Sequence, residues 1–181
     1  MSLFLFSNLL VSITSLGLIL LLLIYGRQKI HRIWALCNFV VFTWGVGTLI
    51  ISSTANPLLI YIGWQLALIG GYFIATTYYH TIYVLTASKN KAFLILTYLF
   101  TSLAAIFTLF NKVVPQFRLM FNSIYFPRAT VAYLIIYLGW ALIATVASAE
   151  LLKFMKSTTP VKRLQSKYML TAFIIGFIGG G

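Results

Sequence analysis

Two ionisable side chains stand inside stretches of this chain that are otherwise almost wholly apolar, His80 and Glu150. An imidazole in such a setting can exchange a proton near neutrality or hold a ligand. Ionisable groups among apolar residues are costly enough to rank as functional candidates. The plainer role for His80 is a neutral ring hydrogen-bonded to a neighbouring helix. At about 100° per residue, Phe73, Thr76 and Gln65 share its side of a helix, and Gly71 lies about 180° away. His80, Gln65, Thr76 and the adjacent Trp64 are therefore the ligand or sensing candidates. Trp64, with Tyr61, also suits an interfacial aromatic belt.

Glu150 is the only acidic residue among 181, which excludes chemistry needing paired carboxylates. Lys153 and Lys156 follow it closely, so a local helix pair is the default, on the order of a few tenths of a kcal/mol. A counter-charge for the neighbouring basic segment is the alternative. No HExxH, GxSxG, Gly-rich phosphate loop or metal-spaced His/Cys/carboxylate cluster occurs. No catalytic residue, metal or cofactor is expected. Cys37, the single cysteine, reads as a small apolar packing residue.

The elements that must position these residues are transmembrane helices. The chain is 61% hydrophobic and 8% charged, with a mean hydropathy of +1.00, whereas about a quarter charged is usual for soluble domains. Backbone groups in hydrocarbon must be satisfied within their own segment, so each span is helical and needs about twenty residues. The expected fold is an all-α, polytopic transmembrane helix bundle with spans near 3–25, 33–51, 58–86, 92–110, 129–152 and 168–181. Thr159-Pro160 reads as an N-cap with proline at the first helical position, so the sixth helix starts before its lipid-crossing part. From Tyr168 to Gly181 it would cover only roughly 21 Å of a core of about 30 Å. The sixth span is thus expected to be truncated and the chain to be the N-terminal part of a longer one.

The thirteen Lys and Arg residues fall three, none, two, three and five in the successive gaps. Cytoplasmic loops retain such residues, so the odd gaps are expected inside and the N-terminus outside. Lys112, Arg118 and Arg128, in an aromatic-rich outer loop, run against that bias. The aromatic residues there (Phe117, Phe121, Tyr125, Phe126) either lie on lipid headgroups or line a ligand entrance. The net charge of +12 sits in short segments between apolar runs rather than on a soluble face. Nucleic acid is therefore not the expected partner, and anionic lipid at the cytoplasmic surface is. The first span lacks a positive leading region and is too long for a cleavable signal peptide.

Gly63, Ala67, Gly71 and Ala75 recur at every fourth position of span three, a small-residue stripe that lets a second helix approach closely. With the polar side opposite, span three is expected at the centre of the bundle. Ala172, Gly176 and Gly180 repeat the spacing in span six, and Trp44 with Gly45 reads as core packing in span two.

Three segments, in order, resemble the N-terminal seven-transmembrane input region of bacterial sensor histidine kinases. They are GRQKIHRIWAL after span one, FTWGVGTL through Trp44 and Gly47, and YYHTIYVLTASKNK through His80 and Thr86. After Thr86 that family often has glycine, where this chain has Ala87, and Thr81 displaces the aromatic expected beside His80. The outer loop, and Arg163 with Gln165 before span six, also fit. The resemblance implies a signal-input domain in a bacterial inner membrane, joined to a cytoplasmic output domain, with a homodimer left open. It brings no established ligand. A small transporter or transporter subunit is the second reading, and it would need a broken helix or polar midplane site, and inverted repeats.

Overall fold

The computed structural model describes residues 3–113, 116–120 and 124–180. Among them are six helices, α1 (Leu3–Tyr25), α2 (Lys29–Ser53), α3 (Pro57–Thr86), α4 (Lys91–Leu109), α5 (Val131–Ser157) and α6 (Pro160–Gly180). Five of these, α1 to α5, are long and apolar enough to cross a membrane. Burial polarity supports the same environment. On α1 the covered residues are Asn8, Ser12 and Ser15, with Asn8 only 3% exposed, while Leu23 and Ile24 are 63% and 70% exposed. Such an inverted helix is stable where the surroundings are as apolar as leucine, so that packing and hydrogen bonds drive association.

The connections are shorter than hydropathy implies. α2 starts at Lys29 rather than near residue 33, because the GRQKIHR segment is itself mostly helical. The Gln28 amide donates to His31 Nδ1 at 3.4 Å, satisfying one of the unpaired donors at the helix start. α5 runs one turn past residue 152 to Ser157, and α6 begins at Pro160. Only Thr158 and Thr159 separate them, since proline disfavours helical backbone at the residue before it. Asn56 caps α3 through its Oδ1, which accepts from the Leu58 amide at 2.9 Å, with Pro57 at the first position.

α3 is the hub, packing against α2, α4 and α5, while α1 joins through α2 and α6 through α5. Its contact with α2 is backbone on backbone. A Cβ added at Gly63 would lie 2.9 Å from the Gly47 carbonyl oxygen, and one at Gly70 would lie 2.6 Å from the Trp44 amide nitrogen. Toward α5 the small residues continue differently: Ala75, with Tyr78, Tyr79 and Ile82, meets Ile143, Ala144, Ala147 and Leu151.

The aromatic-rich loop expected after span four contains an antiparallel hairpin, β1 (Phe117–Met120) and β2 (Ile124–Pro127), with Arg118 opposite Phe126. Its residues are aromatic and apolar enough for paired strands. The loop ends are tied, as Thr130 Oγ1 donates to the Val113 carbonyl at 2.6 Å. Phe121 lies outside the described residues.

Ala87 ends α3 with φ 50° and ψ 42°, the left-handed conformation. An L-residue there pays roughly 1–2 kcal/mol that glycine avoids. Ala87→Gly is therefore expected to stabilise the fold by about 1 kcal/mol, read as a raised thermal midpoint in detergent. An unchanged or lower midpoint would refute the strain at this cap.

Candidate functional site

The polar face of α3 is built against α4. Threonines at 97, 101 and 108, spaced four and seven apart, form a buried stripe on α4, with Ala104 between them. Each threonine hydroxyl can return its proton to a carbonyl one turn back, which lets it sit in an apolar segment. Thr101 Oγ1 does so to the Thr97 carbonyl at 2.9 Å, and Thr108 Oγ1 to the Ala104 carbonyl at 2.9 Å.

Onto this stripe α3 sets its own polar residues. Thr76 Oγ1 lies 3.5 Å from both the Thr97 carbonyl and Thr101 Oγ1. His80 Nδ1 and the Tyr98 hydroxyl share a hydrogen bond of 2.8 Å, with the two rings edge to face. Phe73 leans on the same Tyr98 ring at 6.5 Å. Gln65 Nε2 donates to the Thr108 carbonyl at 3.1 Å and to Asn111 Oδ1 at 3.2 Å, leaving its Oε1 buried without a hydrogen-bond partner. Tyr61 also donates to Asn111 Oδ1. Asn111 adopts φ 59°, a conformation that asparagine tolerates better than most residues.

His80, Thr76 and Gln65 thus share one seam, spread over about four turns of α3. Trp64 points elsewhere: its Nε1 donates to the Tyr125 carbonyl at 2.6 Å and its ring rests on Phe126 at 5.7 Å. Tyr61 meets Phe117 edge on at 6.4 Å. Tyr61 and Trp64 together form the seat of the hairpin. An open cavity of about 600 Å³ lies beside it, lined by Gln116, Phe117, Arg118, Met120, Phe126 and Arg128 among others. Neither this cavity nor the adjoining one of about 360 Å³ is lined by His80 or Thr76.

At the opposite end of the bundle, Glu150 accepts from the Tyr79 hydroxyl at 3.2 Å. A cross-helix partner replaces the expected local lysine, because α5 packs that side of Glu150 onto α3 while Lys153 and Lys156 continue toward the basic end. Of the expected small-residue stripe, Gly63 and Ala67 face α2, where the neighbour of Ala67 is Gly47. Gly71 does not make the close approach. A Cβ there meets only Trp44 Cδ1 at 3.5 Å, and its carbonyl accepts from Trp140 Nε1 of α5 at 3.0 Å. The tight position is Gly70, one residue earlier, because α2 crosses α3 rather than following one four-residue row. Trp44 is half-buried over this crossing. A Cβ at Gly176 would meet nothing within 4 Å, so the expected packing role is not made there by described residues. The surroundings of Gly180 lie outside the described residues. Thr86, the last residue of α3, donates to the Ile82 carbonyl at 2.8 Å.

Sequence inspection passed over the α4 threonines, Tyr98 and Asn111. The four-and-seven spacing of polar residues in a leucine- and phenylalanine-rich span was the legible sign. Compared with known proteins, the chain matches no family model, no curated protein and no solved structure. What its apolar helices and its polar interior seam establish together is a multi-pass helical membrane protein.

Proposed function

We propose that this chain is a membrane-embedded signal-input domain of a bacterial plasma membrane, with the hairpin outside and the basic end cytoplasmic. It would relay a stimulus to a cytoplasmic output module such as a histidine kinase. The observation that carries this reading is the asymmetry of α3. One face is locked on α2 by backbone contact, and the other meets α4 through exchangeable hydroxyl hydrogen bonds, some stretched to 3.5 Å. A buried Gln65 Oε1 without a partner leaves that seam short of full satisfaction. A second arrangement of α4 on α3 then costs little, which is what a two-state relay needs. α3 also joins the two ends: Trp64 holds the hairpin, and His80 and Tyr79 lie about 24 Å further along the helix.

The resemblance carried by Trp44, His80 and Thr86 supports the same reading. So does the unbroken course of α3 over 30 residues, since carriers commonly build midplane sites from discontinuous helices. Reading the coding sequence beyond Gly181 is the direct test. A seventh span leading to a phosphoacceptor-histidine helix and an ATP-binding domain is expected, whereas further spans ending the protein would replace the input reading by transport.

The seam itself has a functional test. Tyr98→Phe removes one hydrogen bond of roughly 0.6 kcal/mol, the average measured within membrane bundles. In the complete protein, Tyr98→Phe and His80→Ala are both expected to alter the basal level of output phosphorylation by several-fold. An unchanged output in both variants would reduce His80 to a packing residue.

A further inference from the structure

We propose that the hairpin cavity binds a phosphate oxyanion, carried by the headgroup of an anionic phospholipid or free in solution. Arg118 and Arg128 both line this cavity of about 600 Å³. The chain contains one acidic residue, Glu150, and it is hydrogen-bonded to Tyr79 near the other end of α5. No side-chain carboxylate of this chain therefore neutralises the two exposed guanidinium groups, which leaves their charge open to an anion from another molecule. Paired guanidinium forks match phosphate oxygens, and charge-assisted contacts of this type are the strong ones.

The arginines stand on an ordered platform. Arg128 Nη1 donates to Gln116 Oε1 at 3.4 Å, and its amide donates to the Gln116 carbonyl at 2.9 Å. The hairpin is in turn fixed to α3 by Trp64. Phe117, Met120 and Phe126 supply apolar wall to the same cavity, so the site combines cationic and apolar lining as an amphiphile would require. Its level agrees, because the strands lie between the end of α4 and the start of α5, with β2 ending at Pro127 and α5 starting at Val131. That is where membrane-spanning helices emerge among headgroups. Cations in this segment also run against the bias that gathers the other basic residues at the opposite end, and a bound anion gives them a reason.

The site is defined by binding alone and does not depend on the signal-input reading. Amide hydrogen exchange of residues 116–128 is measured for the full chain in phosphatidylcholine nanodiscs. It is repeated with phosphatidylglycerol added to the disc, and separately with inorganic phosphate added to the solution. Protection of the hairpin amides rising about tenfold with phosphatidylglycerol and little with phosphate identifies the lipid headgroup. Equal protection by phosphate alone identifies a free anion at the same site. Arg118→Gln and Arg128→Gln are each expected to reduce that protection about tenfold, and the Lys variants at these positions to retain part of it. Lys156→Gln, at the basic end, serves as the control for bulk surface charge and leaves hairpin protection unchanged. No protection in either arm overturns the proposal. So does protection unaltered by both Arg→Gln variants, or protection lost equally in Lys156→Gln.

Discussion

Gly70→Ala is expected to destabilise the bundle by roughly 2–3 kcal/mol, while Gly71→Ala, one residue away, stays within about 0.5 kcal/mol of the parent. The added carbon at position 70 would sit 2.6 Å from the Trp44 amide nitrogen and 2.7 Å from the Val40 carbonyl oxygen. Both are helical backbone atoms and have no rotamer by which to move aside. α2 would have to retreat from α3 along its length, loosening the Gly47–Gly63 approach at the same time. At position 71 the same carbon finds only Trp44 Cδ1 at ordinary contact distance, 3.5 Å. Both variants carry the same gain in helix propensity, so the difference between them isolates packing. Unfolding of the purified chain in mixed detergent micelles, titrated with a denaturing detergent, measures it. Equal midpoints for the two variants would mean that α2 and α3 do not approach as closely as described.

Phe173→Ala is expected to loosen α6 from the bundle, at a cost of about 2 kcal/mol from the loss of its ring contacts with α3 and α5. The Phe173 ring stacks on Tyr78 at 3.9 Å and 6°, and faces Trp140 at 6.2 Å and 23°, linking three helices through one side chain. Much of the rest of α6 is uncovered, with Tyr168 and Ile175 strongly exposed. Faster amide exchange through α6 in Phe173→Ala, with Ile175→Ala as an unaffected control, is the expected result. Unchanged exchange would assign α6 docking to Met169 and Leu170 instead, which pack against the same cluster. In a relay, this ring is where motion of α3 would reach the following helix.

The spans were legible because hydropathy in a membrane protein reports length directly: α1, α3 and α4 begin and end within a residue or two of the apolar runs. The start of α6 was legible too, since Thr159-Pro160 placed it at Pro160, whereas the start of α2 and the end of α5 were less so. Lysine and arginine at helix ends keep their charge in water while their backbone stays helical, and a hydropathy boundary therefore falls short of the helical one. The hairpin escaped notice because its strands are only four residues each, too short to stand out in an aromatic loop before their pairing is known.

What the residues alone determined is the kind of molecule and the faces of its central helix. Sixty-one per cent apolar content with one acid in 181 residues requires lipid around the helices. The angular positions of Gly63, Ala67 and His80 divide α3 into a close-packing side and a polar side. The tertiary structure decided which neighbour each side meets, and at which residue. The way α2 lies across α3 moved the close approach from Gly71 to Gly70. The placement of the helices also paired His80 with Tyr98, gave Glu150 to Tyr79 in place of a lysine, and set Trp64 under the hairpin. Periodicity specifies direction around one axis, whereas a partner is specified only when two axes are placed.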